Sequence, residues 1–219
     1  MAINLSKGQK IDLRKESGTE LTNFCVGANW GAIETKGFLG LSTNKQNIDL
    51  DLSCVLIDDK NNLCDHIYSP LYKIDFLQKF GLPKGKLNTI DNALKHTGDD
   101  LNGDSGGDDG LDNEIITVDL TKINPNVSKI FFFLNNAGKE DFSMIPYAKI
   151  RMFEGTSTKV SSVFASYNIA AEPQFRGKTS LILGKLYKKN DKWKFDAIGD
   201  PTDDSFLGQT IHRIIQSYL

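Results

Sequence analysis

The chain has 219 residues, 39% hydrophobic and 25% charged, which suits one large or two small globular domains and excludes disorder throughout. The formal net charge of −2 excludes a broad basic field for nucleic acid. No stretch approaches the roughly 20 apolar residues of a membrane helix, and MAINLSKGQKIDL at the start lacks the apolar core of a signal peptide, so we expect a cytoplasmic protein.

In chain order, LSKGQKIDL predicts a short strand after a turn at Gly8. FCVGANWG places Phe24, Val26, Ala28 and Trp30 on one face, the period of a half-buried strand. Residues 34–47 read as a polar loop. In IDLDLSCVLIDD, Ile48, Leu50 and Leu52 alternate with Asp49, Asp51 and Ser53. A strand here sends Asp49 and Asp51 to one side, about 7 Å apart. On an edge strand such a pair simply faces water; it becomes informative if a second acidic element faces it. Asp58–Asn62 predicts a hairpin turn into LCDHIYS. Residues 71–97 mix periods around Gly81, Pro83 and Gly85, and read as a loop with one short element.

Strand patterns then resume. EIITVDL alternates, KIFFFLNNAG has the continuous apolar centre of a strand covered on both faces, and Pro146 in MIPYAKIRMFEG marks an edge or a strand start. KVSSVFASYNI, TSLILGKLYKK and KWKFDAIGD follow, the last two joined by a hairpin turn at Asn190-Asp191. FLGQTIHRIIQSYL spaces Phe206, Ile211, Ile214, Ile215 and Leu219 as an amphipathic helix. Many short strands and one terminal helix predict an all-β fold, a single-domain β-sandwich over residues 1–219 with a C-terminal helix. Trp30, Trp193, Tyr187 and Phe195 are assigned to the core, and the basic run 185–194 to a solvated hairpin face. Cys25, Cys54 and Cys64 form no CxxC pair and are expected as reduced thiols.

The stretch with the most chemistry is GDDLNGDSGGDDGLDNE, residues 98–114. It carries Asp99, Asp100, Asp104, Asp108, Asp109, Asp112 and Glu114 and no base. Crowded carboxylates repel one another at neutral pH, while Gly103, Gly106, Gly107 and Gly110 allow tight curling. Hard oxygen ligands on such a chain suit calcium; a solvated acidic loop is the plain alternative. It is not an EF-hand: counting from Asp104, position six is Asp109 where glycine is needed, and position twelve is Ile115 where glutamate is needed. Zinc has little support, because His66, His96 and His212 lie far apart in sequence.

IDLDLSCVLID, HTGDDLNGDSGGDD, EIITVDL and LILGKLYKKNDKWKFDAIG, in that order, resemble the TerD family of tellurium-resistance and stress proteins, and LSKGQKIDL and VGANW fit it too. The resemblance covers nearly the whole chain. It implies a β-sandwich that binds calcium, one or two ions, through clustered acidic loops, in a stress response. Its motifs carry over to Asp49 and Asp51, to Asp99 and Asp100, to Asp108 and Asp109, and to Glu114 as the acid before the next strand. Residues 110–113 intervene between the second pair and Glu114, which leaves Asp112, and likewise Asp104, as alternative ligands.

Together these readings place Asp49 and Asp51 against the 98–114 loop around shared calcium, so that binding orders the loop. Calcium is then expected to raise the melting temperature, and Asp49→Ala with Asp99→Ala to abolish the rise. We expect no enzyme: neither GxSxG nor a Walker A is present. The alternatives are a calcium-dependent module that recruits a protein partner in a stress-response complex, and a carboxylate-dependent hydrolase. A catalytic carboxylate would carry a raised pKa beside a cleft; a cage would stay ionised and gain stability from metal.

Overall fold

Two six-stranded sheets face one another across the main hydrophobic core. The structure, a computed structural model, describes residues 3–4, 7–15, 17–36, 43–169 and 173–219. One sheet orders its strands β1 (Ile3–Asn4), β12 (Lys159–Asn168), β11 (Ala148–Thr156), β3 (Asn23–Trp30), β9 (Glu114–Asp119) and β8 (Leu94–His96). The other runs β2 (Lys10–Asp12), β14 (Lys192–Thr202), β13 (Ser180–Lys189), β10 (Val127–Asn136), β6 (Leu50–Asp58) and β7 (Leu63–Ile67). Pairing within both sheets is antiparallel except between β1 and β12. This is the all-β sandwich expected, closed by helix α2 (Leu207–Ser217).

The period-2 rule explains how the second sheet carries two cores. Along β10, Ile130, Phe132 and Leu134 enter the core between the sheets, while Phe131 and Phe133 pack under α2 with Leu207, Ile211 and Ile214. On β6, Leu50, Leu52, Cys54 and Leu56 face the inter-sheet core, and Val55 and Ile57 face the helix side. A helix α1 (Ile74–Lys79) adds Leu77 to that outer layer. Asn190 and Asp191 turn β13 into β14 with φ of +53° and +60°, the two positive values a type I′ hairpin requires.

Several expectations need correction. The half-buried strand at β3 is covered on both faces: Phe24, Val26, Ala28 and Trp30 enter the main core, and Cys25 packs with Ile115 and Phe153. Asp51 does not face water from an edge, because β6 lies between β10 and β7 and Asp51 is buried. Pro146 precedes the interior strand β11, so it marks a strand start. The loop assigned to 34–47 contains a hairpin, β4 (Ile33–Lys36) with β5 (Thr43–Gln46). Residues 71–97 hold two elements, α1 and β8, rather than one. Of the four aromatics assigned to the core, Tyr187 is only half-buried. Cys25 and Cys54 are buried free thiols and Cys64 an exposed one. Among the described residues no helix is long and apolar enough to cross a membrane.

Candidate metal centre

The acidic loop is fastened to both sheets before any side-chain chemistry begins. Asp104 N–H donates to the Trp30 carbonyl at 2.9 Å, and Ile48 N–H to the Asn102 carbonyl at 3.1 Å. The Trp30 indole N–H donates to the Ile48 carbonyl at 2.8 Å, so one fully buried ring ties the end of β3 to the entry of β6. Gly103 allows this: its φ is +70°, and an added Cβ would sit 2.6 Å from the Trp30 ring.

This fastening brings Asp51, Asp99 and Glu114 together, with one carboxylate oxygen from each within 4.8 Å of the others. They come from β6, from the loop and from the first residue of β9. Glu114, 1% exposed, accepts the Leu52 N–H at 2.7 Å on one oxygen and the Asp100 N–H at 3.1 Å on the other. Asp51, 5% exposed, accepts from the Tyr72 hydroxyl at 2.7 Å. Asp99 accepts from the Ser69 hydroxyl. His96 Nδ1 accepts from Gly98 N–H at 2.9 Å, which leaves the ring proton on Nε2, 3.3 Å from Glu114. Asp49 lies beside the three, and its Oδ1 is buried without a hydrogen-bond partner. Asp100 turns away to bind the N–H groups of Asn102 and Gly103.

Asp108 and Asp109 do not join this inner group. They converge with Asp104 in a second, more exposed cluster. Here Lys149 pairs with Asp108, and the Tyr147 hydroxyl donates to Asp104 at 2.8 Å. Asn29 Nδ2 lies 3.3 Å from Asp104 and 3.5 Å from Asp108 and also meets the Leu111 carbonyl, while its Oδ1 is buried and unpartnered. Asp112 belongs to neither cluster. Its buried carboxylate takes Arg151 Nε on both oxygens, at 2.9 and 3.0 Å.

Asp49, Asp51 and Glu114 hold their protons more tightly than ordinary carboxyls. Asp49 is pushed up to about 6 by burial, then by the charges of Glu114, Asp99 and Asp100. Burial also raises Asp51 well above the usual range, with Glu114 adding to it and the Tyr72 hydrogen bond opposing. Glu114 is raised by burial against the opposing pull of His96. A cleft of about 340 Å³ adjoins Asp49, Asp51 and Asp99. A raised pKa beside a cleft is what the sequence reading assigned to a catalytic carboxylate. The raised pKa values also follow when buried acids are packed together without a counter-ion, so that shift is common to cage and catalyst.

Tyr72, Ser69 and His96 were missed as site residues. Ser69 and Tyr72 stand in no acidic motif and reach the cluster only through the fold, whereas His96 heads the HTGDD motif, three residues before Asp99. His96 is of intermediate exposure as a residue, with its side chain enclosed beside Glu114. For His96 that adjacency was the available signal; for Ser69 and Tyr72 it is only that they follow β7, the strand paired with β6.

Fold and site together define a class: a two-sheet sandwich whose mid-chain acidic loop folds back on a strand of the opposite sheet to gather hard oxygen ligands. A family model described as TerD domain matches residues 1–213. The chain belongs to the TerD family. It is 34% identical over 227 residues to Stress response protein SCP2 of Bacillus subtilis (strain 168), covering 98% of this chain and 100% of that one. It is 29% identical to Tellurium resistance protein TerZ of Serratia marcescens, covering 90% and 89% respectively. A solved homologue of telluride resistance protein (TerD) from Streptomyces coelicolor A3(2) shares the fold with a TM-score of 0.56 at 11% identity, over 84% of this chain and 91% of that one.

Proposed function

We propose that this chain is a cytoplasmic calcium-binding protein of the stress-response type, without catalytic activity, in which the ion locks the acidic loop to β6. The observation that carries this is the convergence of Asp51, Asp99 and Glu114 oxygens within 4.8 Å, in a pocket where Asp51 and Glu114 are buried. Buried carboxylates this close strongly disfavour joint ionisation. A divalent cation removes that penalty, and an all-oxygen donor set from flexible and rigid elements suits calcium better than magnesium or zinc. Asp49, with its unpartnered Oδ1, adds charge beside the ion.

The outer cluster supplies a second, weaker place. An amide's two ends are interchangeable in shape. With Asn29 turned over, Oδ1 would face Asp104, Asp108 and the Leu111 carbonyl, an arrangement only a cation between them makes favourable. Lys149 already supplies charge there, so this site binds after the inner one.

Thermal melting tests the reading. After thorough chelation, added calcium raises the melting temperature of the wild type, magnesium raises it less, and Asp51→Asn with Asp99→Asn abolishes the rise. A wild-type curve indifferent to calcium would contradict it. A pull-down compared with and without chelator separates a structural ion from one that presents the loop to a protein partner.

A further inference from the structure

Helix α1 has little of its own to keep it folded. It has six residues, no side chain caps its first turn, and Leu77 is its only buried residue, with Ile74 and Phe76 exposed. A helix this short is marginal without tertiary contacts. Leu77 supplies one, in the outer core with Leu207 and Ile211. The others lie at its two ends. At the C-terminal end, the Phe80 ring packs 5.4 Å from that of Phe206, the residue before α2. It also lies against Gly208, where an added Cβ would come within 2.4 Å of it.

At the other end the chain enters α1 through a turn over residues 69–72, where the Tyr72 N–H donates to the Ser69 carbonyl at 3.4 Å. Both ends of this turn reach the inner acids. Ser69 Oγ donates to Asp99 and accepts the Leu71 N–H at 3.0 Å. The Tyr72 hydroxyl donates to Asp51 at 2.7 Å. Asp51 stands on β6 and Asp99 on the acidic loop, so one turn spans the two elements that the ion would join. The Tyr72 ring then meets Phe206 edge-on at 5.6 Å. Contacts therefore run without a break from the two acids, through the turn, to α1 and the start of α2. Linkage makes any such coupling reciprocal. Hydroxyls that hold ligand carboxylates in place favour the ion, and an ion that fixes the same carboxylates holds the turn by the same free energy.

We infer that the 69–72 turn couples the inner site to α1: calcium on Asp51 and Asp99 orders the helix against Phe206, and Ser69 and Tyr72 are positioning residues for the ion. This rests on the calcium reading above and adds to it the segment that responds to the ion.

The test is backbone hydrogen exchange of the full chain in chelator and in saturating calcium, with calorimetry on the same samples. Calcium slows exchange over residues 74–82 at least about tenfold. It slows the β13–β14 turn, at the far end of the sheet from Asp51, less than about twofold. Ser69→Ala with Tyr72→Phe, which removes the two hydroxyls, weakens the tight calcium site about tenfold and removes most of the slowing. Leu77→Ala alters no contact to an acid, yet by reciprocity it weakens calcium binding about threefold. Hydroxyls that merely supported their own acids would leave calcium binding unchanged in that variant. Calcium bound by calorimetry while exchange over 74–82 is unaltered, or altered no more than in the β13–β14 turn, overturns the coupling and leaves the calcium reading standing. So does wild-type calcium affinity in Leu77→Ala. No calcium binding at all overturns both.

Discussion

Glu114, on the first sheet, accepts the backbone N–H of Leu52, on the second, at 2.7 Å. With its other oxygen on the Asp100 N–H, one buried side chain joins both sheets and the acidic loop. Glu114→Ala leaves both donors unpaired, at a cost of about 1–3 kcal/mol for each that stays buried. Glu114→Gln retains an acceptor and removes one charge from the crowd, so it costs less in the calcium-free protein. Urea unfolding in chelator checks the order; equal losses would show that the hydrogen bonds contribute nothing.

Stability should depend on pH differently with and without calcium. Asp49, Asp51 and Glu114 have folded pKa values above their unfolded ones. Between the unfolded values near 4 and the folded values, about 6 for Asp49, the native state binds more protons than the unfolded state. Stability of the calcium-free protein therefore falls as pH rises from about 4 through about 6. Below about 4 the trend turns over, because Asp58, Asp91, Asp119 and Asp141 are held below the ordinary range and lose their native hydrogen bonds on protonation. With saturating calcium the fall between 4 and 6 disappears, since the ion requires the charged carboxylates. Melting temperatures across pH 4 to 8 in chelator and in calcium distinguish the two curves.

Gly27 and Arg151 hold the loop by its Asp112 residue. A Cβ at Gly27 would lie 2.2 Å from Asp112 Oδ2, inside the bifurcated contact that Arg151 Nε makes to both carboxylate oxygens. Gly27→Ala should therefore destabilise by about 1–3 kcal/mol through overpacking. Arg151→Gln, which strands a buried carboxylate, should cost about 3 kcal/mol. Denaturant midpoints measure both, and the double variant should lose less than the sum, because the two act on the same carboxylate.

The acids themselves were legible because their type and clustering are local properties of the sequence. So was β10, whose unbroken apolar run reflects a strand with a core on each side. The β4–β5 hairpin was not, because TNKQ is polar throughout, with Asn44, Lys45 and Gln46 exposed, and so carries no alternation to read. Which acids share a centre was also hidden. Asp99 and Asp100 are adjacent, yet one joins Asp51 and Glu114 while the other caps the next turn. Glu114 reaches the inner group because β9 places its first residue at the loop's return, a tertiary fact that spacing alone does not hold. Tyr72, in the stretch with mixed periods, and Ser69, at the end of LCDHIYS, supply the hydroxyls that position two of the ligands.

The most direct measurement is a calorimetric titration of the chelated protein with calcium, beside Asp51→Asn/Asp99→Asn and Asp104→Asn/Asp108→Asn. The account predicts a tight site that disappears in the first variant and persists in the second, with a weaker site behaving the opposite way. Wild-type protein that gives no binding heat and no change in melting, or a tight site that survives Asp51→Asn/Asp99→Asn unaltered, would contradict it.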